Sequence, residues 1–159
     1  MSEDLIITAG TKIEQYESII PQIKGLLEGE DDSIANMANI SAALKAQFGW
    51  LWVGFYIVKN GELILGPFQG PVACTRIRKG RGVCGAAWEQ KQTILVPDVE
   101  KFPGHIACSS LSKSEIVIPL MQQENCVGVL DVDAIVLDSF DEIDKHYLEA
   151  IVELLVGKI

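Results

Sequence analysis

The four cysteines of this chain stand at positions 74, 84, 108 and 126, and three of them fall in its glycine-rich or irregular middle. Cys126 opens an apolar run, Cys126-Val127-Gly128-Val129-Leu130, where valine or isoleucine would serve as well, so packing accounts for it. Cys74, Cys84 and Cys108 each admit the same explanation singly. Together, in loop-like sequence, they point to redox chemistry or to metal. His105, three positions before Cys108, offers a fourth zinc ligand, but nine and 23 residues separate the successive cysteines and no paired C-x-x-C occurs, so zinc is the weaker reading. A free thiol, with a pKa of about 8.5, is only slightly ionised at neutral pH. A nucleophilic cysteine therefore needs local positive charge. His105, Arg76, Arg78, Lys79 and Arg81 are the candidates, together with a helix N-terminus near Gly82 to Gly85.

The carboxylates carry more information. Asp131 and Asp133 interrupt the core-like run Gly128-Val129-Leu130-Asp131-Val132-Asp133, and a spacing of two puts both on one face of a strand. That face is either solvated or a site. Glu115 lies near the far end of the preceding strand. A three-residue loop, Gln122 to Glu124, would set Glu115 opposite Asp131 on the same face, whereas a two-residue loop would put them on opposite faces. Three acids converging in one pocket repel, so at least one keeps its proton to higher pH and can act as an acid at neutral pH. The remaining charge would attract an ammonium group, which suggests an amino-acid-like substrate. Trp52, Gly54 and Tyr56 alternate on one strand face, either as core or as a box around a small apolar group.

These residues must be held by recognisable elements. Helical spacing runs from Thr11 to Glu28, with Pro21 expected to kink or restart the helix. Asp32 or Ser33 caps a second helix with an inner stripe of Ile34, Met37, Ser41, Leu44 and Phe48. Trp50 to Val58 and Glu62 to Leu65 read as strands about an Asn60-Gly61 turn. Further strands are expected at Val72 to Ile77, Thr93 to Val96, Glu115 to Met121 and Cys126 to Ala134, with a short helix at Val83 to Gln90. Asp98 to Lys113 reads as a long functional loop. Ser139 and Glu142 have capping-box spacing for a last helix. The order implies an α+β fold, a mostly antiparallel sheet with helices on one side.

Composition bounds the function. The 159 residues suit one domain, 1–159, and 13 basic against 22 acidic residues leave a net charge of −9, which disfavours nucleic acid as a partner. The longest apolar run, Leu51 to Val58, is far short of the ~20 residues of a membrane span. An acidic N-terminus is unlike a secretory signal, so the expected location is the cytoplasm, where cysteines stay reduced unless they work as redox groups.

Six segments carry a family resemblance: Trp52-Val53-Gly54-Phe55-Tyr56, Gly66-Pro67-Phe68-Gln69-Gly70, Gly80-Arg81-Gly82-Val83-Cys84-Gly85, His105-Ile106-Ala107-Cys108, Ser114-Glu115-Ile116-Val117 and Gly128-Val129-Leu130-Asp131-Val132-Asp133. In register, they resemble the free methionine-(R)-sulfoxide reductases, which are single GAF-domain enzymes. The resemblance runs from about Trp50 to the C-terminus. It implies a GAF-like sheet of about six strands, Cys108 as nucleophile, Cys74 as principal resolving thiol and Cys84 as an auxiliary one. It also implies Glu115, Asp131 and Asp133 as pocket acids, with Glu115 or Asp133 donating the proton, and Trp52 and Tyr56 as the aromatic wall. The implied partners are free methionine-(R)-sulfoxide, a thioredoxin-like reductant and a second copy in a homodimer, with no metal or organic cofactor. Ala134 and Ser109 depart from the family pattern, which usually has Ser and an acidic residue there. The alternatives are a ligand-sensing GAF module and a zinc-stabilised interaction domain.

Overall fold

The computed structural model describes residues 4–105 and 108–159; Ile106 and Ala107 of the His105–Cys108 segment lie outside the described residues. The first helix, α1 (Lys12–Leu27), opens with a capping box in which Thr11 Oγ1 accepts from Glu14 N and the Glu14 carboxylate accepts from Thr11 N. It runs as one element through Pro21. Helix α2 (Ser33–Phe48) is capped by Asp32, which accepts from Ala35 N at 2.9 Å, and ends at Gly49 in the left-handed region. Its buried stripe is Met37, Ile40, Ser41 and Leu44; Ile34, expected in that stripe, is exposed.

Strands β1 (Trp52–Lys59), β2 (Glu62–Gln69), β3 (Arg76–Arg78), β4 (Ile94–Val96), β5 (Ser114–Gln122) and β6 (Asn125–Ala134) form one sheet in the order β3-β2-β1-β6-β5-β4. Every neighbouring pair is antiparallel. β2 runs four residues past the expected Leu65, because a register shift opposite Phe55 accommodates Pro67, and a bulge is where proline can sit in a sheet. The strand expected at Val72 to Ile77 shrinks to β3, and Val72 is exposed. Among its described residues, the long segment after β4 contains only a 3-10 turn at Val99–Lys101, held by Asp98 accepting from Glu100 N.

Alternation along the strands gives the sheet two unlike faces. Val53, Phe55, Ile116, Ile118, Leu120, Leu130 and Val132 pack with α1, α2 and the last helix, α4 (Glu142–Val156), as one core. Trp52, Tyr56, Val117 and Val129 face the other way and pack with the short helix α3 (Gly82–Gln90). The expectation of helices on one side thus holds for the three long helices, while α3 covers the opposite face. The cap of α4 is Asp141, which forms the box with Asp144; Ser139, expected there, instead donates its N–H to Ser114 Oγ. No helix among the described residues is long and apolar enough to cross a membrane.

Candidate active site

The face turned to α3 is where the chemistry-bearing side chains meet. Sheet register sets them in rows: Trp52 pairs with Asp133 and Asp133 with Glu115, while Gly54 pairs with Asp131 and Asp131 with Val117. Glu115 and both aspartates therefore share a face, but by a route the loop argument missed. The β5–β6 turn has two residues between the paired Gln122 and Asn125, the case expected to split the acids. A bulge restores the parity: Met121 pairs with Cys126 but Leu120 pairs with Gly128, so Val127 is the extra residue, and Glu115 stands opposite Asp133 rather than Asp131.

Above this floor, α3 brings Cys84 down onto the acids. The turn into α3 is tight: a Cβ on Gly85 would lie 2.5 Å from the Arg78 carbonyl oxygen, and Gly80 N donates to Gly85 O at 2.9 Å. The segment between β2 and β3 supplies Cys74, and the loop before β5 supplies His105, Cys108, Ser109 and Ser112. Cys84, His105, Cys108, Ser109 and Ser112, but not Cys74 itself, line one cavity of about 60 Å³ together with Trp52, Tyr56, Glu115, Asp131 and Asp133. That is room for a few water molecules or a small solute, not for a threaded polypeptide.

Cys74 and Cys108 are joined in a disulfide with their Cα atoms 5.5 Å apart. Cys84 is a buried free thiol and Cys126 a half-buried one. The bonded pair removes two sulfurs from any zinc set with His105. One oxygen each of Glu115 and Asp131 and the sulfur of Cys84 do lie within 4.8 Å of one another.

Burial dominates the electrostatics. Burial first, then the charges of Asp131 and Asp133, push Glu115 well above the usual carboxylate range. Burial and the charge of Asp131 push Asp133 up as well, partly opposed by the Ser112 hydroxyl, which donates to Asp133 Oδ1 at 2.9 Å. Asp131 is raised by burial but eased by hydrogen bonds from Glu115 and Cys84 and, when its ring is protonated, by the charge of His105. It is thus the best seat for the site's negative charge, with Glu115 and Asp133 as proton holders. Its Oδ1 is buried and has no hydrogen-bond partner among the described residues. The Cys84 thiol is pushed well up by burial and by the acids, so it is held as a thiol.

Of the cations considered for activating a thiol, His105 and Arg81 line the cavity. Burial lowers the pKa of His105, which keeps the ring neutral near pH 7. Arg76 pairs with Glu62 at 3.5 Å and Lys79 lies over the Trp88 ring, and neither lines the cavity. Trp52 and Tyr56 are buried and stacked at 5.9 Å, and Phe68 stacks on Trp52 at 5.1 Å. Their polar atoms are already engaged: Trp52 Nε1 donates to Pro71 O at 3.0 Å and Tyr56 Oη donates to Cys74 O at 2.8 Å. Sequence reasoning missed Phe68 and Ser112. A loop serine four residues from a cysteine carries no distinguishing pattern, whereas Phe68 lay in a quoted segment and needed only the β1–β2 register, Gly54 opposite Phe68, to be placed.

The family model of the GAF domain matches residues 31–156. A curated relative from Dictyostelium discoideum, GAF domain-containing protein A, is 67% identical over 98% of this chain and 99% of its own length. The free methionine-R-sulfoxide reductase of Escherichia coli is 42% identical over 91% of this chain and 88% of its own. The crystal structure of free methionine-R-sulfoxide reductase from Neisseria meningitidis in complex with its substrate superposes with a TM-score of 0.96, at 50% identity, covering 99% of this chain and 95% of that one.

Proposed function

The chain belongs to the GAF domain family, among the free methionine-R-sulfoxide reductases, and from that premise we propose that it reduces free methionine-(R)-sulfoxide to methionine with Cys108 as nucleophile. The observation that carries the reading is the Cys74–Cys108 disulfide at a cavity lined by Glu115, Asp131 and Asp133. In the reduced enzyme, the Cys108 thiolate attacks the sulfoxide sulfur while a protonated carboxyl, Glu115 or Asp133, donates to the departing oxygen. Methionine leaves and Cys108 becomes a sulfenic acid. The Cys74 thiol condenses with it, releasing water and forming the disulfide, and a thioredoxin-like dithiol restores both thiols by exchange.

The bare Oδ1 of Asp131 suits the substrate ammonium, and the Trp52 and Tyr56 rings suit the methyl sulfoxide end. Cys84, held protonated among the acids, is suited to an auxiliary role rather than the principal resolving one. The same reading takes residues 1–159 as one GAF domain working in a reducing cytoplasm. The exposed Ile6, Ile7 and Ile13 support a homodimer formed through the N-terminal region.

The test is turnover of free methionine sulfoxide with dithiothreitol by the wild type and by Cys108→Ser. The wild type should release methionine from the R epimer, and the variant should lose activity by on the order of 10³-fold or more. Equal turnover in both would remove Cys108 from its role. No turnover in either would favour a ligand-sensing GAF module.

A further inference from the structure

The segment that carries Cys74 is oddly placed for a thiol that must meet another within bonding distance. Between the end of β2 and Thr75, whose carbonyl accepts from Leu65 N at 3.0 Å, the described residues show no backbone-to-backbone hydrogen bond holding it. Gly70, Pro71 and Val72 are exposed and Cys74 is half-buried. Two side chains of β1 strap this segment down, Trp52 Nε1 at Pro71 O and Tyr56 Oη at Cys74 O. The second bond reaches the backbone of the thiol-bearing residue itself. Tyr56 is 2% exposed, so water does not compete for its hydroxyl. Burial and the surrounding acids raise its pKa, so it stays a donor. The ring lines the cavity while the hydroxyl is spent on the protein backbone rather than offered to a ligand.

We propose that Tyr56 is a positioning residue for the resolving step: its hydroxyl fixes the Cys74 backbone so that the Cys74 sulfur meets the sulfenic acid on Cys108. The proposal rests on the sulfenic acid chemistry above. Attack on an oxidant uses no thiol but Cys108, whereas condensation needs Cys74 in place, so loss of the strap acts on the second step more than on the first. In that second step the S–S bond forms as the S–O bond of the sulfenic acid breaks, and the hydroxyl leaves as water with the Cys74 proton.

The experiment uses the fully reduced protein and Tyr56→Phe, which keeps the ring and deletes only the donor. Each is oxidised in parallel with one equivalent of methionine-(R)-sulfoxide or of hydrogen peroxide, which turns a cysteine thiolate into the same sulfenic acid. Dimedone adducts on Cys108 and the Cys74–Cys108 disulfide are followed by mass spectrometry. In the variant the disulfide should form roughly tenfold or more slowly, with the dimedone-trapped sulfenic acid building up accordingly. Disulfide formation at the wild-type rate after peroxide would overturn the proposal. A lag with peroxide but no oxidation by the sulfoxide would sustain the positioning role and sink the substrate reading. If Tyr56→Phe does not fold, 4-fluorophenylalanine at position 56, which fills the place of the hydroxyl without donating, undergoes the same assay, and wild-type disulfide kinetics there would equally overturn the proposal.

Discussion

Three carboxyl groups crowded onto one face of β5 and β6 cannot all ionise, and which of them keeps a proton decides what the site can do. Glu115 is pushed up most plainly, by burial and by two acidic neighbours. Its folded pKa lies above its unfolded one, so the folded chain holds an extra proton between the ordinary carboxylate range and the raised value. Stability from this group is therefore full below that window and is lost as pH rises through it. Glu115→Gln keeps the shape and can still donate to Asp131, but has no proton to lose. The variant should be more stable than wild type at neutral pH, because burial and the two aspartates penalise the ionised Glu115 and not the amide. Its stability should also vary less with pH, as read from thermal unfolding between about pH 5 and 8. Turnover should fall by about 10²-fold or more if Glu115 donates the proton to the departing oxygen. Equal pH dependence of unfolding in the two proteins would show that Glu115 is not the strained acid.

At the level of elements, β1 shows how closely the site is built. A Cβ on Gly54 would lie 2.3 Å from Phe68 Cβ, 2.7 Å from the Trp52 ring and 2.9 Å from Phe68 Cα. The space between the Trp52 and Tyr56 rings is therefore filled by β2 and by Trp52 itself, not left open for a ligand. Because one obstacle is backbone, Gly54→Ala should cost about 1–3 kcal/mol and unstack Trp52 from Phe68. Denaturant unfolding and tryptophan fluorescence would read both effects; an unchanged midpoint and spectrum would mean that the β1–β2 approach is looser than described.

The same scale explains what was legible beforehand. Alternation placed Asp131 and Asp133 on one face because side-chain direction along a strand is local. Their partner in β5 was not legible, because parity across a hairpin depends on the bulge at Val127, and no residue type there announces it. The Ser139 box failed similarly: Asp141 with Asp144 satisfies the same spacing, and only tertiary contacts chose between them. β3 came out shorter than its apolar residues suggested, since Val72 faces solvent on the segment that carries Cys74.

Across the whole molecule, the two faces of the sheet divide the work: one buries the apolar core under α1, α2 and α4, and the other holds ionisable groups that weaken the fold. The long-helix side is itself tied by a polar cluster that no local pattern reveals, since its members are more than a hundred residues apart. Asp144 is fully buried and accepts from Tyr16 Oη and from Lys12 Nζ, each at 2.6 Å, while also closing the α4 capping box. Lys12 Nζ reaches Ser139 O and Asp141 as well. α1 precedes residues 31–156, the segment matched by the GAF family model, so this cluster ties a helix outside that segment to the rest of the fold. Asp144→Ala would strand a lysine and a buried phenol and should cost about 3–5 kcal/mol, a large share of the ~5–15 kcal/mol that keeps a domain folded. Tyr16→Phe removes one bond to a charged group and should cost about 1.5–3 kcal/mol. Because the cluster lies on the helix side, the Tyr16→Phe loss should appear in the denaturation midpoint while methionine sulfoxide turnover, assayed well below that midpoint, stays within about twofold of wild type, a change of under ~0.5 kcal/mol in the barrier. A variant that kept its midpoint but lost turnover would mean that the two faces are coupled, and that α1 helps to shape the site as well as to hold the sheet.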